Sequence, residues 1–188
     1  MKDRVRKLGV LLVVLCVSAG FALAADLAGT SWQLQGVAKD KVKKAGKVKD
    51  SLGEVYLIFY EDNECVLRVY DDEGSGEPPR APEAVDYEDF HCTWNSPAGK
   101  RKFTFQMDQR AAENLLASAW EDITDGDAHD GTVLKNAGKG KVSKDGSKIK
   151  LKLQLKATIT GTMEGSSEEV TRKVSVKLKA TGTEVHPK

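Results

Sequence analysis

The sequence predicts a mainly β protein, an eight-stranded antiparallel barrel or sandwich with one α-helix inserted between strands five and six. From Ser147 to Met163, apolar residues alternate with lysine, glutamine and threonine, and only a β-strand has a side-chain period of two. The other strand-like stretches are joined mostly by connections of turn length, which is typical of antiparallel sheets. One stretch, Asp108–Ile123, has the period of a helix instead.

The chain opens with the pattern of a secretory signal peptide. Four basic residues precede an apolar run from Leu8 to Val17, and the small-residue exit Ala22-Leu23-Ala24 follows. A membrane anchor is the alternative, but the run is about half the length that crosses a bilayer. We therefore expect residues 1–24 to be a cleaved signal and residues 25–188 to be one domain, secreted or periplasmic and not membrane-spanning after cleavage.

Charge and cysteine content fit an exported protein. Cleavage would remove four positive charges and one negative charge, which changes the formal net charge from +1 to −2. That balance does not favour a nucleic-acid partner. Cys16 would leave with the signal, and Cys65 and Cys92 would remain as an even pair, which predicts a disulfide.

Five strands are predicted before the helix. They are Thr30 to about Lys43, Glu54–Tyr60, Cys65–Tyr70, Tyr87–Trp94 and Arg101–Met107. The loop Asp71–Val85 has no periodicity and holds three of the five prolines. A Cys65–Cys92 bond would place Leu67 opposite Phe90 and Val69 opposite Glu88.

The helical stretch carries an apolar stripe that must be buried. Asp108 is a predicted N-cap whose carboxylate would accept from the free amides of the first turn. The stripe is expected either on the second predicted strand, against Tyr56, Ile58 and Tyr60, or across one end of the barrel. Its residues are Ala112, Leu115, Leu116, Ala119 and Ile123.

Three strands follow the helix, near Thr132–Val142, Ile149–Met163 and Val170–Thr183. The last hairpin allows two registers, and in both of them small residues oppose large ones, as in a filled interior. Ala180 then faces Leu151 or Leu153, Gly182 faces Ile149 or Leu151, and Ala157 faces Val174 or Val176. Any ligand pocket is therefore expected at the other end, although the same aromatic residues also suit an ordinary core. They are Trp32, Phe59, Phe90, Trp94 and Phe103.

The segment Leu27–Leu34 reads L-x-G-T-x-W-x-L. It resembles the first strand of lipocalin-like (calycin) barrels and also the opening of META domains, which are small exported bacterial β-domains. The resemblance implies a barrel that carries small apolar molecules. We therefore expect an exported lipocalin-like protein that binds a small apolar or amphipathic molecule, without catalysis and without a cofactor. Gly29 and Trp32 would be its structural residues.

No arrangement of residues predicts catalysis. The three histidines are His91, His129 and His186, and His91 is expected to point outward because it neighbours Cys92. No phosphate-binding loop or zinc motif occurs. The best metal candidate is a loop whose third aspartate comes one residue late for a calcium site and whose twelfth position is Asn136, so a solvated turn is the alternative. Its ligands would be Asp125, Asp127, His129 and Asp130.

Lysines line the predicted outer face of the last two strands. They are Lys148, Lys150, Lys152, Lys156, Lys173, Lys177 and Lys179. Such a face would attract an anionic envelope component, or it would guard two aggregation-prone strands. A second basic run either continues this face or forms a hairpin; it consists of Lys39, Lys41, Lys43, Lys44, Lys47 and Lys49. The sequence thus leaves two functions: a carrier of a small apolar ligand, and an envelope module with a filled barrel.

Overall fold

The computed structural model describes residues 27–70, 87–97 and 100–185. The predicted signal peptide, the loop Asp71–Val85 and His186 lie outside these residues. The described elements, in chain order, are β1 Ser31–Val42, β2 Gly46–Ser51, β3 Val55–Phe59, β4 Glu64–Tyr70, β5 Tyr87–Asn95, β6 Lys102–Met107, α1 Gln109–Thr124, β7 Ala128–Val142, β8 Lys148–Met163 and β9 Ser166–Val185. No helix in this part of the chain is both long and apolar enough to cross a membrane.

The strands form one antiparallel sheet that closes on itself. Their order is β2-β1-β3-β4-β5-β6-β7-β8-β9, and β1 also pairs with β9 along its whole length. Strands β1 and β3 to β9 therefore make the predicted eight-stranded barrel. Strand β2 is an addition that pairs with the second half of β1, from Val37 to Val42. The sequence did not predict β2, so one more strand precedes the helix than expected. The helix therefore lies between β6 and β7, and not between strands five and six.

The disulfide and the register around it are confirmed. Cys65 and Cys92 are cross-strand partners on β4 and β5, bonded to each other with their Cα atoms 5.0 Å apart. Leu67 lies opposite Phe90, and Val69 lies opposite Glu88. The Glu88 side chain is exposed at the rim of the barrel. A stable disulfide indicates an oxidising compartment.

Helix α1 closes one end of the barrel. It contacts β7, β8, β9 and β1, and its Trp120 and Leu116 are fully buried. The Trp120 indole N–H donates to the Thr162 carbonyl at 3.1 Å. Docking on the second predicted strand is wrong, because Tyr56 packs against Tyr70 on the outer surface. The stripe finds its apolar surface inside the extended strands β7 to β9, which rise beyond the shorter β3 to β6.

The predicted capping hydrogen bond at the start of the helix does not form. Asp108 occupies the N-cap position, but its side chain makes no capping hydrogen bond, since the carboxylate stays exposed to solvent. At the other end, Asp125 adopts a left-handed conformation with φ of 49°, and its N–H donates to the Glu121 carbonyl at 2.9 Å. The left-handed backbone at Asp125 ends the helix.

The barrel interior is filled by complementary layers. Of the two registers expected for the last hairpin, the structure has Leu151 opposite Ala180. The same layer continues through Gly140 to Phe103. The expectation that the aromatic residues lie at the opposite end from these small–large pairs is therefore wrong. Glycines on β7 provide the space, because a Cβ at Gly140 would overlap the Phe103 ring.

Candidate functional site

Three of the five aromatic residues of the predicted pocket are in contact with one another through Phe59. The Phe59 ring meets Trp94 and Phe103 edge to face, with both centroid distances 5.3 Å. Trp32 and Phe90 are also buried. A ligand at this position would need the rings to move apart. The apolar pocket stays a prediction, and binding of an apolar fluorescent probe to the purified protein would test it.

The lysines form one broad surface on the outside of the barrel. The seven predicted lysines of β8 and β9 are all exposed. Lysines of neighbouring strands extend this surface. Lys39 and Lys41 belong to the second basic run, which was expected either to continue this face or to form a hairpin, whereas the lysines of β6 and β7 were not predicted. We call the whole set the basic face: the seven lysines together with Lys39 and Lys41 of β1, Lys102 of β6, and Lys135, Lys139 and Lys141 of β7.

Strand register places these lysines side by side. Lys102 pairs with Lys141, which pairs in turn with Lys150. In the next row, Lys139 pairs with Lys152, and Lys152 pairs with Lys179. Like charges directly opposite each other destabilise a sheet. The fold therefore accepts a repulsive arrangement at two successive rows.

No lysine of the basic face takes part in an ion pair within the described residues. The ion pairs there join Arg68 to Asp89 and His129 to Glu169, both at 2.7 Å, and neither involves a lysine. The basic face consequently keeps a positive potential that is available to an anion from solution.

The centre of the basic face is concave. A groove of about 660 Å³ runs over β6, β7, β8, β9 and β1. Its lining combines lysines and neutral polar residues with strand residues that include Phe103, Leu151 and Ala180. The charged lining is Lys102, Lys139, Lys141, Lys150, Lys152 and Lys179, and the neutral polar lining is Gln35, Thr104 and Thr181.

Two further grooves continue this one in opposite directions. One of about 470 Å³ shares Lys102 and Lys141 with it and adds Lys100 and Arg101. Another, of about 370 Å³, shares Lys139, Lys152 and Lys179 with the central groove. It adds Lys135, Gln154 and Lys177. We call the three together the basic track. It is longer than a site for one small anion needs to be, and none of its lining residues is a carboxylate.

The opposite wall of the barrel has a different character. Arg68 on β4 makes two hydrogen bonds to Asp89, at 2.7 and 2.8 Å, and its guanidinium lies 4.0 Å from the Tyr87 ring centre. The hydrogen bonds from Arg68 lower the pKa of the Asp89 carboxyl. The cation on this wall is thus satisfied internally, unlike the lysines of the basic face.

The candidate metal residues do not come together. Asp125 ends the helix, His129 pairs with Glu169, and Asp130 accepts from the Gly131 N–H at 2.8 Å. In residues 27–70, 87–97 and 100–185, no three His, Cys, Asp or Glu side chains form a set that could hold a metal. His91 is exposed on β5, as expected from its position beside Cys92.

One buried carboxylate was missed in the sequence. Asp40 of β1 points inward, toward Asp122 of the helix and Asp50 of β2. Burial, and then these two carboxylates, raise its pKa to about 6. Its Oδ1 atom is buried without a hydrogen-bond partner among the described residues. The available signal was the period of two that begins at Trp32 and Leu34, since it places Asp40 on the inward face of β1, although lysines surround it in the sequence.

The orientation of the β7 lysines could not be predicted from the local sequence. The stretch Gly138-Lys139-Gly140-Lys141-Val142 alternates, but its inward positions are glycines and therefore lack the apolar side chains that mark a buried face. Only the pairing of Gly138 with Phe105 and of Gly140 with Phe103 reveals that those glycines face inward.

Comparison with known proteins gives no family. No protein-family model matches the chain, and no curated protein matches it. Among solved structures, it is similar to a protein of unknown function from Bacteroides ovatus, with a TM-score of 0.37 and 9% identity. The alignment covers 83% of this chain and 47% of that protein, so the chain spans about half of its length.

Proposed function

We propose that this protein is an exported module that binds a polyanion along the basic track of a filled β-barrel. The observation that carries the proposal is the groove with six lysines and no carboxylate in its lining. A bound anionic chain would relieve the repulsion between cross-strand lysine pairs such as Lys141 and Lys150. Export is supported by the signal-peptide pattern and by the disulfide.

A purely protective role for the lysines explains the arrangement less well. Lysine guards free sheet edges against pairing with other chains. Strand β8 is paired with both β7 and β9, and β9 is paired with β8 and, from Val174 to Val185, with β1, so most of the seven lysines lie on strand segments without a free edge. The lysines of these strands are therefore concentrated where the barrel itself already blocks edge-to-edge association.

A charge-matched pair of variants tests the proposal. The track variant is Lys141→Gln/Lys150→Gln/Lys152→Gln, and the control removes three lysines from the β1–β2 hairpin, Lys43→Gln/Lys44→Gln/Lys47→Gln. The probe is long-chain polyphosphate, with affinity measured by isothermal titration at several salt concentrations. Each exposed ion pair contributes about 0.5 kcal/mol, so the track variant should bind about tenfold more weakly than the wild type.

The control should lose much less affinity, and wild-type binding should weaken as salt increases. Equal losses in both variants would mean that only total charge matters and that the track is not a site. No measurable binding by the wild type at low salt would end the proposal.

A further inference from the structure

We infer that the polyanion is an acidic glycan, a sugar chain whose charged groups meet the lysines of the groove while its hydroxyls meet the neutral polar residues beside them. This inference rests on the proposed function and adds the class of ligand. It is carried by the neutral polar residues of the groove, Gln35, Thr104 and Thr181, which lie among the lysines and not apart from them.

Register fixes how these residues alternate with the charges. Thr104 is the cross-strand partner of Lys139, and Thr181 is the partner of Lys150. Gln35 of β1 then pairs with Thr181, so that one row reads Lys102, Lys141, Lys150, Thr181, Gln35 across five strands. A ligand on this row meets three cations and then two neutral groups.

The neutral side chains are free to bind. Within the described residues, none of Gln35, Thr104 and Thr181 makes a side-chain hydrogen bond, and all three are exposed. A hydroxyl or an amide both donates and accepts, which is what a sugar hydroxyl requires of a partner. A ligand that consisted of charged groups alone would leave these side chains unused.

The residue types argue against single-stranded nucleic acid. Proteins bind unpaired bases by stacking them on exposed aromatic rings. The only aromatic residue in the lining of the described grooves is Phe103, whose ring lies in the barrel interior and is 2% exposed. Arginine, which recognises phosphate through two parallel hydrogen bonds, occurs in the track only as Arg101.

The mixture of side-chain lengths in the groove argues against a lipid surface. An extended lysine side chain is longer than a threonine side chain, so the hydroxyls of Thr104 and Thr181 lie closer to the sheet than the extended ammonium groups of neighbouring lysines reach. A flat array of head groups would contact the ammonium groups and leave the threonines untouched. A narrow chain that enters the groove reaches both.

Threonine-to-valine substitutions separate the glycan from other polyanions. The variant Thr104→Val/Thr181→Val keeps every charge, keeps the side-chain shape and suits a β-strand. Its affinity for four probes is compared with the wild type: polygalacturonate, long-chain polyphosphate, a thymidine oligonucleotide and phosphatidylglycerol vesicles. Loss of two hydrogen bonds should weaken polygalacturonate binding about fivefold, while polyphosphate binding should stay within about twofold.

The outcomes distinguish this inference from the proposed function. If the variant binds polygalacturonate as tightly as the wild type, or loses affinity for all four probes equally, the glycan assignment is overturned while the polyanion site stands. Wild-type binding to the oligonucleotide or the vesicles in preference to polygalacturonate also overturns it. If the lysine track variant binds polyphosphate normally, the proposed function itself fails. Circular dichroism and thermal melting confirm that each variant is folded.

Discussion

At the scale of single residues, the interior of the barrel depends on two glycines of β7. Gly138 lies opposite Phe105 and Gly140 lies opposite Phe103, and each phenylalanine ring covers the glycine beside it. The absence of a Cβ at these positions lets large rings fill the barrel without pushing the strands apart. An added methyl group has no free volume to enter.

We therefore expect Gly140→Ala to lower the free energy of unfolding by about 2 kcal/mol, the usual effect of overfilling a core. Urea denaturation measures this value. Gly53→Ala is the matched control, because a Cβ there would meet nothing within 4 Å. Combining Gly140→Ala with Phe103→Leu should recover part of the loss. A neutral Gly140→Ala variant would contradict the account of the filled interior.

Asp40 makes stability depend on pH. Its folded-state pKa of about 6 lies above the ordinary value of 3.8, so folding favours the protonated form. Its contribution is full below pH 4 and is lost as the pH rises through 6. Asp40→Asn keeps the neutral form at every pH. Because the residue is only partly buried, we expect a gain of about 1 kcal/mol at pH 7.5.

The measurement is urea denaturation of wild type and Asp40→Asn at pH 4 and pH 7.5. The two proteins should be equally stable at the lower pH and differ at the higher one. Asp62→Asn, at an exposed turn, serves as the control. A gain of equal size at both pH values would show that titration of Asp40 is not its cause.

At the scale of elements, strands with alternating side chains were predictable and strands formed by pairing alone were not. The predicted bounds of β8 match the structure closely, because Ile149, Leu151 and Leu153 mark its buried face. Strand β2, Gly46–Ser51, has one apolar residue, Val48, and that residue is exposed. Its backbone is extended because the β1–β2 turn returns it along β1, a tertiary cause that no local pattern records.

The helix is expected to hold the open end of the barrel together. Leu116 lies on the side of the helix that faces the barrel and is fully buried. Leu116→Ala should therefore lower the free energy of unfolding by about 3 kcal/mol, through the lost contacts and the cavity left behind. Ser118→Ala, on the exposed side of the same helix, should be close to neutral. Thermal melting of both variants tests the claim, and similar melting temperatures would count against it.

The disulfide joins two adjacent strands across a long connection. Cys65 and Cys92 are 27 residues apart, and a cross-link over such a loop stabilises a protein by about 3 kcal/mol. Cys65→Ala/Cys92→Ala should lower the urea midpoint accordingly. A reducing agent should destabilise the wild type by a similar amount and leave the variant unchanged. Sensitivity of the variant to the reducing agent would point to another cause.

At the scale of the whole molecule, the site follows from closure of the sheet. The alternation of β8 and β9 placed seven lysines outward from sequence alone, but the rows that make the groove need the neighbours of those strands. Lys102 comes from β6, before the helix, and joins Lys150 only through β7. The formal net charge of the chain, +1, gives no indication of this surface, because acidic side chains elsewhere cancel it.

Closure also makes the first and last strands neighbours. Ser31 of β1 is the direct partner of Val185 of β9. A short linker between these two positions would join the strands without crossing the barrel, and the chain can then be reopened at the exposed β7–β8 turn, at Lys144. Such a circular permutant should keep the barrel while changing the order in which its strands are synthesised. For the same reason, Ser31 and Val185 lie at the same rim of the barrel, so a surface attachment made near either of these two residues would present the protein to a ligand in the same orientation.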